Sequence, residues 1–109
     1  MLVTTTLEVD GYQVVEYRGI VRGLIVRSPT IMQGFMGELK NIVGGKIGAF
    51  TNMCEQARQQ AYDLMVDHGT QMGANAIIGM RYDAAQVAGE RYAATEVLCY
   101  GTAVILAKK

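Results

Sequence analysis

The chain has 109 residues, half of them hydrophobic and 18% charged, a length that supports one core and a composition that is globular rather than disordered. Its formal net charge is zero, with ten basic and ten acidic residues in no dense cluster, which removes the electrostatic footprint of non-specific nucleic-acid binding. No apolar run approaches the roughly 18 residues needed to cross a bilayer, and the start "MLVTTTLEVDG" lacks a basic, apolar leader, so a soluble cytoplasmic protein with no membrane partner is expected.

The short stretch "LVTTTL" is the first candidate strand, with Asp10-Gly11 supplying a turn into its expected partner. That partner is "YQVVEYRGIVRGLIVRS", Tyr12 to Ser28, rich in β-branched and aromatic residues. It reads as one long strand or two joined at a kink. A period of two places Val14, Glu16, Arg18, Ile20, Arg22, Leu24 and Val26 on one face, and Val15, Tyr17, Gly19, Val21, Gly23 and Ile25 on the other, more apolar one. Gly19 and Gly23 on that face mark a bend or a place where another element packs closely.

Pro29 ends the strand region, and Ile31 to Val43 predicts a helix with Ile31, Phe35, Leu39 and Ile42 on one side. Gly34 and Gly37 each cost this helix about 1 kcal/mol against alanine, so it depends on its neighbours. Next comes "NIVGGKIGAFT", Asn41 to Thr51. A phosphate-binding loop requires G-x-x-x-x-G-K followed by Ser or Thr after a strand; here Ile47 follows Lys46 and the preceding segment reads as helix. The stretch is therefore a hinge, with Gly44 or Gly45 as helix cap and Thr51 as a candidate N-cap. Lys46 with free N–H groups is the candidate for a weaker anion site.

The second helix, Phe50 to Met72, carries the clearest pattern in the chain: Phe50, Cys54, Ala57, Ala61, Leu64, Met65, His68 and Met72 form one stripe. Gly73 stands where a helix ends in a left-handed residue. "ANAIIGMRYDAAQV" and "ATEVLCYGTAVILA" then read as two strands. The expected fold is α+β, in β-β-α-α-β-β order, with two helices on one side of a mainly antiparallel sheet, in a single domain over residues 1–109.

The segments "VEYRGIVRG" (15–23), "NIVGGKIGAF" (41–50), "GANAIIGMRYD" (73–83) and "GTAV" (101–104), in this order and spacing, resemble the YbjQ-like family. This bacterial and archaeal family is labelled "putative heavy-metal-binding" and has no established reaction. The resemblance spans nearly the whole chain. It implies subunits assembling into a homopentameric ring, with strands contributing to a central β-barrel, and a connector at "IVGGKIGAF". Ring closure would also remove the open strand edges that otherwise invite aggregation.

A transition-metal site needs three or four Cys, His or carboxylate ligands about 2.0 to 2.3 Å from the ion. The candidates are Cys54, Cys99 and His68, with no C-x-x-C and no H-x-x-x-H. Cys54 and His68 lie roughly 21 Å apart along one helix and cannot share an ion within a subunit. Both cysteines read as free, buried thiols, since no targeting segment argues for an oxidising compartment. His68, beside Asp67 and Gly69, reads as a packed residue or a cation favoured by the helix C-terminus. Glu16 and Glu96, each in an apolar strand, would form with Arg58 a polar cluster at a subunit interface or in a small-ligand pocket if they share a side. The seven methionines suit adaptable packing and show no copper-binding spacing. No nucleophile and base are paired in sequence, so binding or assembly is favoured over catalysis, with an inter-subunit enzyme site using His68 or Cys54 as the alternative.

Overall fold

The computed structural model describes residues 1–27, 46–88 and 93–109, and side chains within these except at 46–50, 87, 88 and 93. Its elements are β1 (Leu2–Val3), β2 (Tyr12–Arg27), α1 (Lys46–Gln71), β3 (Ala76–Ala88) and β4 (Ala93–Lys108). The four strands form one sheet in the order β1-β3-β4-β2.

Three long strands and the main helix fall where the residue patterns place them, but the assembly differs from expectation. The hairpin expected between "LVTTTL" and Tyr12–Ser28 does not form. β1 instead runs parallel to β3, with Leu2 opposite Ala76, and β2 pairs with β4 on the other side. The Asp10-Gly11 turn does exist, with Gly11 at φ 80° and the Tyr12 N–H donating to the Val9 carbonyl at 3.1 Å. It redirects the chain across the sheet rather than folding it back. The physical reason lies at β3: the Gly79 and Met80 N–H groups donate to the Thr6 and Thr4 carbonyls, so the N-terminal segment satisfies the outer side of β3. The expected pair of helices on a sheet closing into a ring barrel thus gives way, among the described residues, to one helix over an open sheet that is mixed through β1 and antiparallel along its two long ladders. The first expected helix, Ile31 to Val43, lies outside those residues. Thr51 does not cap α1, which begins at Lys46, the first residue after the glycine pair.

β2 also departs from strict alternation. Bulges between Val14 and Glu16 and between Tyr17 and Gly19 shift the pleat, and Gly19 adopts φ 117°, a backbone state that only glycine takes readily. Tyr17 therefore pairs with Val104 and shares a face with Ile20, not with Val21.

From Gly19 onward, Val21, Gly23 and Ile25 face the helix, together with Val97, Cys99 and Ala103 of β4 and Ile77 of β3. α1 covers them with Ala57, Ala61 and Met65, a repeat of four that keeps one narrow seam on the sheet. The small residues are needed because the backbones approach closely. A Cβ on Gly23 would sit 2.7 Å from the Met65 nitrogen and 2.8 Å from the Leu64 Cβ. Met65 is fully buried in the seam; burial of such a side chain stabilises by roughly 1.5–3 kcal/mol. Outward-facing Gln59 donates to Asp63 at 2.9 Å. The helix ends as its sequence dictates: Gly73 is left-handed at φ 78°, its N–H donates to Thr70 and the Ala74 N–H to Gly69. Asn75 then ties the start of β3 to the end of β4, its side-chain amide both donating to the Leu106 carbonyl and accepting from the Leu106 N–H.

On the opposite side, a smaller cluster of Ala76, Ile78 and Val104, flanked by Val9, Val14 and Leu106, is covered by the N-terminal segment. The described residues leave the rest of that side open. Ile20 is 74% exposed, Val26 54% and Leu24 46%.

Candidate functional site

The three sulfur and imidazole groups proposed from sequence occupy three different environments. Cys99 is fully buried under the helix, its Sγ 3.5 Å from the Met65 Sδ. Burial pushes its thiol up to about 11, only partly offset by the neighbouring Tyr82 hydroxyl. At neutral pH it is a protonated packing group, not a thiolate. Cys54 is exposed, about three turns of α1 before Met65, and the expectation that it is buried is wrong: it occupies the rim of the helix seam. His68 is half-buried in the last turn of α1, where its Nδ1 accepts the Arg22 N–H at 3.2 Å.

The role of His68 follows from topology. β2 is an edge strand, and every second N–H of an edge strand points away from its neighbour. The imidazole occupies one of those outward positions. It thereby ties the end of the helix to the sheet edge, a contact 46 residues apart in sequence that no local pattern could reveal.

These residues do not fit a resident metal ion. Among the described residues no three His, Cys, Asp or Glu side chains converge as ligands, Cys99 keeps its proton, and the His68 Nδ1 is already engaged. Two soft sulfurs, Cys99 and Met65, meet, but in a dry core contact without a third donor. For Lys46 the structure describes the backbone alone, as the first residue of α1.

Nor do Glu16, Arg58 and Glu96 come together. Glu16 is bridged by Arg18 at 3.4 Å, both partly exposed. Glu96 pairs in register with Val26 and Ala85 on the open side, since its neighbour Val97 faces the helix. Arg58 stands on the helix side, with its guanidinium 5.3 Å from the centre of the Tyr82 ring. The Tyr82 hydroxyl is shifted upward, chiefly by burial and then by Cys99, against a smaller downward pull from Arg58.

Two features remain that the sequence did not single out. The first is the open sheet face, where register aligns Arg22, Tyr100 and Arg81 in one row, Leu24, Leu98 and Asp83 in the next, and Val26, Glu96 and Ala85 in a third. The signal was present in the alternation of β2, whose Ile20, Leu24 and Val26 are apolar on the side that was read as the less apolar face. The second is a cavity of about 160 Å³ between the first half of α1 and the sheet, bordered by Arg27, Cys54 and Arg58. It unites residues from four elements, which spacing along the chain does not disclose.

The described residues define a small two-layer arrangement: one long helix on a mixed four-stranded sheet, with the other sheet face largely bare of them. The chain belongs to the YbjQ family: the family model described as "Putative heavy-metal-binding" matches residues 1–107. It is 56% identical over 106 residues to a UPF0145 protein of Legionella pneumophila strain Corby, covering 97% of this chain and 98% of that one. A UPF0145 protein of Francisella tularensis is 46% identical over the same length, covering 97% and 99%. Among solved structures, a Pediococcus pentosaceus protein of unknown function from the DUF74 family superposes with a TM-score of 0.64 at 18% identity, covering 98% of both chains, a likeness of fold alone. Among the described residues no helix is long and apolar enough to cross a membrane.

Proposed function

We propose that the protein is a non-enzymatic, cytoplasmic subunit whose function is exercised as a homo-oligomer, with a second copy of the same chain seated on the open sheet face. The observation that carries this reading is the face itself. Ile20, Leu24 and Val26 are exposed together on a long edge strand, an arrangement that soluble monomers avoid. Its charges favour a copy of the same chain as the occupant. The basic row of Arg22 and Arg81 stands beside the acidic positions Asp83 and Glu96, so the face carries both signs and complements itself when one copy is displaced or turned against another. A pentamer is the stoichiometry that the family resemblance supports. The family's metal label is compatible with this reading only through a site shared between copies, and the exposed Cys54 is the thiol available for it.

Native mass spectrometry of the reduced, untagged protein purified without chelator tests both parts. An oligomer that dissociates on Leu24→Glu or Ile20→Glu, with unchanged far-UV circular dichroism in each monomer, supports the face as the interface. A wild-type monomer at tens of micromolar, or an oligomer indifferent to both substitutions, sinks it. A fixed metal mass per assembly that vanishes with Cys54→Ser supports a shared site; an assembly of bare subunits removes it.

A further inference from the structure

The cavity beneath the first half of α1 has a composition that the self-assembly reading does not use. Its walls are mainly apolar, including Met53 and Val97, yet two guanidinium groups border it, Arg27 from the end of β2 and Arg58 from the helix, with Cys54 and Thr95 at its side. Among the described residues neither arginine has a carboxylate partner, and the one ion pair there joins Arg18 and Glu16. Arg27 donates through Nη2 to the Gln60 side chain, but its Nε is buried with no acceptor. Arg58 is held over the Tyr82 ring, a contact that orients the guanidinium without neutralising it.

A buried, permanently charged donor without an acceptor is costly, and native proteins almost always supply one. Here the fold leaves two positive charges beside a small apolar space. We infer that this cavity binds a small organic carboxylate, the carboxylate meeting Arg27 and Arg58 and the hydrocarbon body filling the space between helix and sheet. A volume of about 160 Å³ sets the size of that body, since a cavity near 150 Å³ lined by apolar side chains accepts a benzene-sized molecule. A bare inorganic anion would leave the apolar walls unfilled, and a neutral aromatic would leave both guanidiniums unmatched. The site is contained in one subunit and does not depend on how copies assemble.

Cys54 gives the test a reporter, because it borders the cavity and is accessible, whereas the other thiol is buried. The rate of Cys54 carbamidomethylation by iodoacetamide is measured on the full chain with increasing benzoate, benzamide or acetate. Benzoate is expected to protect Cys54 saturably, slowing the reaction about tenfold when the cavity is about nine-tenths filled. Benzamide and acetate, each lacking one half of the recognised chemistry, should require at least about tenfold higher concentration. Arg27→Gln and Arg58→Gln should each weaken benzoate protection by a similar factor, with Arg58→Lys retaining part of it. Protection by benzamide equal to that by benzoate, no protection by benzoate up to about 10 mM, or protection unaltered in folded Arg27→Gln and Arg58→Gln proteins would each overturn the assignment. The benzoate and benzamide comparison uses the unaltered protein, so it stands even if a variant fails to fold.

Discussion

Replacing Gly23 by alanine adds a single methyl group at the tightest point of the helix–sheet contact. The new Cβ would collide with the Ala61 backbone carbonyl oxygen and would lie 2.8 Å from the Leu64 Cβ and 2.7 Å from the Met65 backbone nitrogen, where carbon contacts normally settle at about 3.5–4.0 Å. None of the three can rotate away, because two are backbone atoms and the third is fixed to the backbone. Helix and strand must therefore separate by at least about 1 Å, and a gap of about that size forfeits a quarter to a half of the attraction of each facing atom pair. The loss extends along the seam of Ala57, Ala61 and Met65, so the cost belongs at the upper end of overpacking penalties, about 3 kcal/mol. For a domain of this length that corresponds to a fall in Tm of roughly 10–20 °C. Gly11→Ala is the control: nothing lies within 4 Å of its added Cβ, so it loses only about 1–2 kcal/mol for a positive φ. Urea and thermal unfolding followed by circular dichroism, at several protein concentrations to separate any effect on association, read the difference. A Gly23→Ala protein no less stable than Gly11→Ala would refute the close-approach argument.

Three further outcomes follow from the buried thiol and the edge contact. With its thiol pushed up to about 11, Cys99 carries only a few parts in ten thousand of thiolate at pH 7.5, so native protein should label at Cys54 alone, with Cys99 reacting once urea unfolds the chain. Because the unfolded thiol ionises first as pH rises, the stability contributed by burying Cys99 is complete below about pH 9 and is lost as pH climbs through about 11. Urea midpoints of wild type and Cys99→Ser between pH 8 and pH 11 should therefore converge, and parallel curves would contradict the assignment. His68→Ala removes the acceptor of the Arg22 N–H; it should cost about 0.5–1.5 kcal/mol and selectively speed hydrogen exchange at Arg22, whereas unchanged exchange there would show that the contact does not protect the edge.

What the sequence disclosed and what it withheld divide along one physical line. The extents of β2, β3 and β4, the helix stripe through Ala57, Ala61 and Met65, and the left-handed Gly73 are consequences of local periodicity and backbone preference, and each is present in the structure. The parallel pairing of β1 with β3 is not local: it depends on which strand edge is free once β4 has taken its partners, and the Asp10-Gly11 turn alone is equally consistent with a hairpin. The bulges of β2 moved Tyr17 to the other side because one extra residue inverts a period of two. For the site residues the same holds. Arg58 and Glu96 could be placed on their own elements from sequence, but that the sheet would stand between them required the register of β4. Arg27 was overlooked because its significance comes from burial at the end of a strand, and nothing in its neighbours in the chain announces that.

The pairing of Tyr12 with Lys108 places the first residue of β2 against the last residue of β4. During synthesis β2 leaves the ribosome with its partner still unmade, and about eighty residues must follow before β4 is complete, some 4–16 s at ordinary translation rates. Closing so long a loop is slow as well, because its entropy is lost before the ladder rewards it. Through that interval Ile20, Val21, Leu24 and Ile25 lack the partner strand that later pairs with them, so the longest ladder among the described residues is also the last to be completed.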